Sequence, residues 1–232
     1  MSDEPDKLRN VLAVMSMPRV TWTENAYCAL CALGPLGIRM AKVTGAFWDQ
    51  CLTRGMESAL DQGAEYILTL DYDTVFRKQD VQELYRLLTS DSRIGAICAL
   101  QMRRACNDVL FGIISGDKCC ATISRDTLDA PTMFVDTGHF GLTLIRADLL
   151  GKLPKPWFHA QPNADGRWEA GKLDADISFW KNWKEAGFTL AQANRVSVGH
   201  LQLMVTWPDR NLKPLYQHVG NWDEHGKPEG AI

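Results

Sequence analysis

No apolar run in this sequence is long enough to cross a bilayer, and the opening MSDEPDKLRN is polar and mixed in charge, so neither a membrane span nor a signal peptide is expected. A basic excess is missing too. The net charge of -3 gives no general attraction to nucleic acid or an anionic membrane, and a nucleic-acid partner would need a local patch such as the one around Arg103 and Arg104. Nor is a disulfide framework indicated, because seven cysteines are an odd number on a chain with ample core of its own. Cys28 and Cys31 form a C-x-x-C, yet no second pair stands at zinc-ribbon spacing. In an Ala/Leu-rich, helix-compatible segment they read as buried thiols, as do the adjacent Cys119 and Cys120. A reduced, cytoplasmic protein fits these absences. No linker, repeat or low-complexity tract divides the chain.

What is there is apolar material at 46% over 232 residues, enough for one continuous core. Strand candidates Val11 to Met15, Ile38 to Val43, Tyr66 to Leu70 and Ile94 to Leu100 alternate with helix candidates. The helices run from Asn25 to Leu33, Trp48 to Leu60 and Lys78 to Leu88, with apolar residues at helical spacing. Gly34-Pro35 and Gly63 end two of them. This order predicts an α/β fold with a mostly parallel sheet, whose ligands bind beyond the carboxyl ends of the strands. The second half has shorter strand candidates (Val109 to Ile114, Phe140 to Ile145, Thr189 to Ala193) and one clear helix from Asp176 to Ala186. The expected organisation is one domain over 1–218. Residues 11–105 form its Rossmann-like, nucleotide-binding half, 106–218 form a smaller, mixed acceptor half, and 219–232 form a polar, mobile tail.

The stretch EYILTLDYDTVF (Glu65–Phe76) runs a greasy strand into two aspartates. Alternate residues of an extended segment face one side, so Asp71 and Asp73 can meet the same ligand. Two carboxylates together call for a cation, and hard divalent metals take such oxygens while leaving positions for substrate phosphates. The bland alternative is a charged turn after a strand. Three further segments count against it. GHFGLTLIRADL (Gly138–Leu149) is a small-residue loop leading into a strand, DADISFWKNWKEAGF (Asp174–Phe188) opens a helix with acidic residues, and VGHL (Val198–Leu201) puts His200 at a strand end where it could be a further metal ligand.

Together these segments resemble the glycosyltransferases of the GT-A fold, in a compact form that suits a bacterial or phage-encoded enzyme; the resemblance spans about Val11 to Leu201. It implies transfer of a sugar from a nucleotide-sugar donor, UDP-sugar first, with Mn2+ or Mg2+ held by Asp71, Asp73 and His200. Asp71, Tyr72 and Asp73 would then contact the donor diphosphate or ribose. The loop Thr137-Gly138-His139 looks like the family's donor-sugar loop, which puts Gly138 and His139 at the donor. Arg54 matches an arginine near the donor phosphates, and Pro18, Arg19 and Trp22 lie where the family holds the nucleoside. The acidic pair at the helix start reads Ala175-Asp176 where many members have Glu-Asp. The resemblance thus implies Asp176 as the base that deprotonates the acceptor, with Asp174 as substitute. For Asp174 and Asp176 the bland alternative is helix capping. The acceptor is open: a glycan, a protein, a small molecule or a modified nucleic-acid base.

Three other readings compete. A haloacid-dehalogenase-like phosphatase would use Asp71 as nucleophile, but that motif follows the first strand of its fold, and here two strands precede it. A nucleotidyltransferase would carry a Gly-rich basic loop after the first strand, and MSMPRVTW contains no glycine. The third is a nucleotide-binding module without turnover. Of the eight tryptophans, most are expected in the core, and His159 and His218 read as structural or surface residues.

Overall fold

A computed structural model describes residues 7–18, 20–104, 109–115, 118–120 and 128–232. The first half contains β1 (Val11–Met17), α1 (Thr23–Leu33), β2 (Arg39–Thr44), α2 (Trp48–Asp61), β3 (Tyr66–Asp71), β4 (Thr74–Val75), α3 (Lys78–Ser90) and β5 (Ala96–Leu100). Then come β6 (Phe111–Ser115), β7 (Lys118–Cys120), β8 (Thr132–Val135), β9 (Thr137–Gly138), β10 (Leu142–Arg146), α4 (Ala147–Leu150) and α5 (Ala175–Glu185). The chain closes with β11 (Leu190–Ser197), β12 (Gly199–His200), β13 (Met204–Pro208), β14 (Pro214–His218) and α6 (Val219–His225).

Seven strands form the central sheet in the order β2-β1-β3-β10-β5-β11-β8. The neighbours β1 and β2, β1 and β3, and β5 and β11 are parallel, whereas β10 runs antiparallel to both β3 and β5, and β8 antiparallel to β11. The sheet is mostly parallel, as the alternation of strands and helices predicts.

Strand periodicity explains why both faces are covered. Val11, Ala13 and Met15 point into one core, with Leu68 and Leu70 of β3 and the apolar faces of α1 and α3. Leu12 and Val14 point into the other, with Ile67, Leu52 and Met56 of α2, and Phe179, Trp180 and Trp183 of α5. A parallel sheet buried on both sides needs such continuous apolar strands. Gly55 lets α2 lie close on β1, since a Cβ there would stand 2.1 Å from Val14 Cγ1.

The second core is aromatic. Phe140 stacks on Trp180 and meets Trp48, Phe158 and Phe179 edge-on. Of the eight tryptophans, Trp157, Trp180 and Trp183 are buried and Trp48 packs against them, whereas Trp168 and Trp222 are exposed, so fewer are core than expected.

Two expectations need correcting. Segment 219–232 contains helix α6, whose Trp222 lies 5.2 Å from Trp207 of β13, and Ile232 N–H donates to Pro208 O, so it folds back on the β13–β14 hairpin and is no free tail. Cys31 is exposed, because its side of α1 faces away from the sheet; Cys28 is half-buried, its thiol against the backbone of Phe76.

Candidate active site

β3 ends the central sheet's apolar run at Asp71, and the chain turns through Tyr72 and Asp73 into β4. Each carbonyl across that turn has a donor. Asn25 Nδ2 donates to Asp71 O (2.9 Å) and Thr74 O (2.6 Å), Thr21 Oγ1 to Tyr72 O (3.2 Å), and Leu201 N–H to Asp73 O (2.7 Å). The start of α1 and the residue after β12 therefore pin the backbone that carries both carboxylates. Asn25 is fully buried, so its amide is committed to this task. Sequence reasoning passed over Thr21 and Asn25, whose partners lie some fifty residues away.

Asp71 Oδ1 accepts from Trp48 Nε1 at 2.9 Å. Trp48 opens α2 and wedges against Phe140 and Phe158, so the aromatic core fixes its donor. Burial, with Asp73 beside it, pushes the Asp71 carboxyl up to about 6, although the Trp48 bond opposes the rise. Asp73 is buried (2% exposed) and pairs with Arg104 Nη2, while His200 Nε2 lies 3.4 Å from its Oδ2. β12 pairs antiparallel with β4, placing His200 opposite Thr74, and its Nδ1–H donates to Met102 O at 2.9 Å. That bond aims Nε2 at Asp73, where Arg104 Nε donates to it at 2.9 Å. Burial pulls the His200 pKa down, but the contacts with Asp73 and the Met102 carbonyl outweigh it, and the net direction is upward.

Asp73 and Arg104 stand on the wall of a cleft of about 320 Å³, lined also by Trp22, Tyr72, His218 and Gly220 among others. Trp22 and Tyr72 give it aromatic surface, and the β14–α6 segment forms the opposite side. His218, read from sequence as structural or surface, thus faces this cleft, and Arg104, read as part of a basic patch, sits inside the site.

Asp176 lies in the first turn of α5, its Oδ1 accepting from Ile177 N–H at 2.8 Å. Burial, reinforced by the charge of Asp174, raises its pKa against the pull of that backbone bond and of Arg103. Asp174 is the N-cap residue, but its carboxylate makes no capping bond and pairs with Lys172 at 3.0 Å.

Other expected residues stand elsewhere. Gly138 is buried, with Cys98 Sγ and Leu190 Cδ2 where a Cβ would go, and its carbonyl accepts from Trp180 Nε1 at 2.6 Å. His139 turns inward. Its Nε2–H donates to Ala99 O (2.7 Å) and its Nδ1 accepts from Gly141 N–H (3.0 Å), so neither nitrogen is left for a donor sugar. Arg54 is exposed and lines a separate groove with Asp49, Thr53 and Lys155. Pro18 is exposed after β1, and Arg19 lies outside the described residues.

The donor chemistry suits a hard divalent cation: two carboxylates and an imidazole whose tautomer is fixed by a backbone carbonyl. Among the described residues, no three His, Cys, Asp or Glu side chains already stand at ligand spacing around one point. Asp73 Oδ2 and His200 Nε2 stand 3.4 Å apart with the Arg104 guanidinium bonded to both, so a cation taking those two atoms would have to displace it.

Neither a family model nor any curated protein matches the sequence. Among solved structures, the fold is similar to that of A197 from STIV, at 14% identity and a TM-score of 0.60 over 90% of this chain and 94% of that one. It is also similar to that of GalNAc-T7, solved with UDP, GalNAc and Mn2+, at 12% identity and a TM-score of 0.54, covering 82% of this chain and 43% of that one. At such identities the likeness is one of fold: an α/β architecture of the GT-A type.

Proposed function

We propose that this protein is a metal-dependent glycosyltransferase that moves a sugar from a nucleotide-sugar donor, most readily a UDP-sugar, to an acceptor hydroxyl. One observation carries the reading: Asp73, on the wall of a cleft with aromatic surface at the carboxyl end of the central strand, has His200 Nε2 3.4 Å from its Oδ2, and Asp71 ends that strand two residues earlier. Asp73 and His200 would hold the metal directly, with Asp71 beside them on the metal or the ribose. Bound there, Mn2+ or Mg2+ supplies positive charge to a diphosphate leaving group. Trp22 and Tyr72 offer rings to the nucleoside. Asp176 takes the proton from the acceptor hydroxyl, its raised pKa making it a stronger base than a solvated aspartate. The GT-A-type fold supports this assignment without choosing the sugar or the acceptor.

The test is nucleotide release from UDP-, GDP-, CMP- and dTDP-sugars, with Mn2+ and then with chelator. Slow turnover of one donor is expected, lost with chelator and in Asp73→Ala. Near-normal turnover by Asp73→Ala would remove the site, and phosphate release from simple phosphoesters instead would assign Asp71 to phosphatase chemistry.

A further inference from the structure

We propose that Arg104 is an internal counter-ion that competes with the divalent cation for Asp73 and His200 and, once displaced, pairs with the diphosphate of the donor. This rests on the metal reading above and adds to it a residue and a coupling.

Arg104 uses two different nitrogens. Nη2 meets Asp73 Oδ2, and Nε donates to His200 Nε2 at 2.9 Å. Those are the two atoms a hard cation would take. His200 cannot turn Nε2 elsewhere without giving up its bond to the Met102 carbonyl. The Asp73 side chain is 3% exposed, and a buried carboxylate stripped of its counter-ion is strongly disfavoured, so a cation there, guanidinium or metal, stabilises its charged form.

Arg104 differs from its partners in being free to leave. Its side chain is half exposed and lies on the cleft wall near Trp22 and Tyr72. A side-chain rotation is enough to move the guanidinium from the carboxylate into the cleft. There its planar fork matches phosphate oxygens two at a time, which a lysine ammonium cannot do. The charges agree. Asp71 and Asp73 present two negative charges to one guanidinium; a divalent cation in its place balances them and releases one positive charge for the diphosphate. Metal and nucleotide should therefore bind with positive coupling, each favouring the state in which Arg104 has left Asp73.

The experiment measures Mn2+ binding to the full chain from the electron paramagnetic resonance of free Mn2+, and UDP binding by calorimetry at saturating Mn2+. Arg104→Met should bind Mn2+ alone about tenfold more tightly than the wild type and UDP about tenfold more weakly, within the usual range of coupling between sites. Arg104→Lys keeps a charge without the fork and should shift both affinities the same way by less; if the Met variant does not fold, the Lys variant carries the test. Mn2+ affinity that is unchanged or weaker in a folded Arg104 variant, or unchanged UDP affinity, overturns the proposal. Asp73→Ala separates the two levels. If it retains Mn2+, or if no form binds Mn2+, the metal reading fails and the proposal with it; if Asp73 is required and Arg104 makes no difference, only the proposal fails.

Discussion

Asp176 and His139 show how burial gives two titratable side chains different work. Asp176 keeps one backbone bond and is otherwise desolvated beside Asp174, which favours its accepting a proton. Asp176→Asn should leave UDP affinity unchanged by calorimetry while transfer falls roughly 10²- to 10⁴-fold, the span of general-base contributions. Unchanged transfer would move the base to Asp174 or beyond. His139 has both nitrogens engaged by backbone, and burial holds its pKa down to about 4. The unfolded chain takes up that proton near pH 6.5, so the stability tied to the neutral ring is intact above pH 6.5 and drains away as pH falls toward 4. The loss amounts to about 3 kcal/mol once complete. Asp71, pushed up to about 6, acts in the opposite sense, because its folded form gains a proton before the unfolded one does. Urea unfolding of wild type and His139→Gln between pH 7.5 and 4.5 isolates the histidine; the variant should show the shallower loss, and parallel curves would refute the assignment. The double aspartate was readable because an apolar strand running into two acids is a local pattern. Arg104, Asn25 and the inward turn of His139 were not, since their partners come from distant segments.

At the scale of elements, the helices and strands of the first half stand where apolar spacing places them, with ends moved by a residue or two. The contact of α2 with β1 depends on Gly55, and only the fold reveals why that residue is small. Gly55→Ala improves helix propensity but drives a methyl into Val14, and overpacking of this kind costs roughly 1–3 kcal/mol. The melting temperature should drop by several degrees, and Val14→Ala in the same chain should recover part of it; a variant as stable as the wild type would show that β1 can yield. The β13–β14 hairpin and α6 were illegible for another reason. β13 is mostly exposed, and what organises it is Trp207 against Trp222, a contact that no local period announces.

Across the whole molecule, two cores on opposite faces of one sheet explain why a single chain of ordinary composition can set a polar cleft at the sheet's end. Strand alternation sends Met15 and Leu70 to one side and Val14 and Ile67 to the other, so the site is approached only where the strands stop. The parallel half of this plan was legible in the order of strands and helices; the place of β10 was not, because order along the chain does not say which gap a late strand fills. That placement also bears on how the protein is made. β3 and β5 each hydrogen-bond to β10, which the ribosome delivers some forty residues after β5. Until then the two strands have backbone groups without their final partner, a template for adhesion to other chains. Closing the sheet waits on a long-range insertion, the kind of step that slows folding. The strand that completes the centre of the molecule is among the last to arrive, so an interrupted synthesis stopping before Leu142 would leave the outer edge of β3 bare and β5 without either of its sheet neighbours.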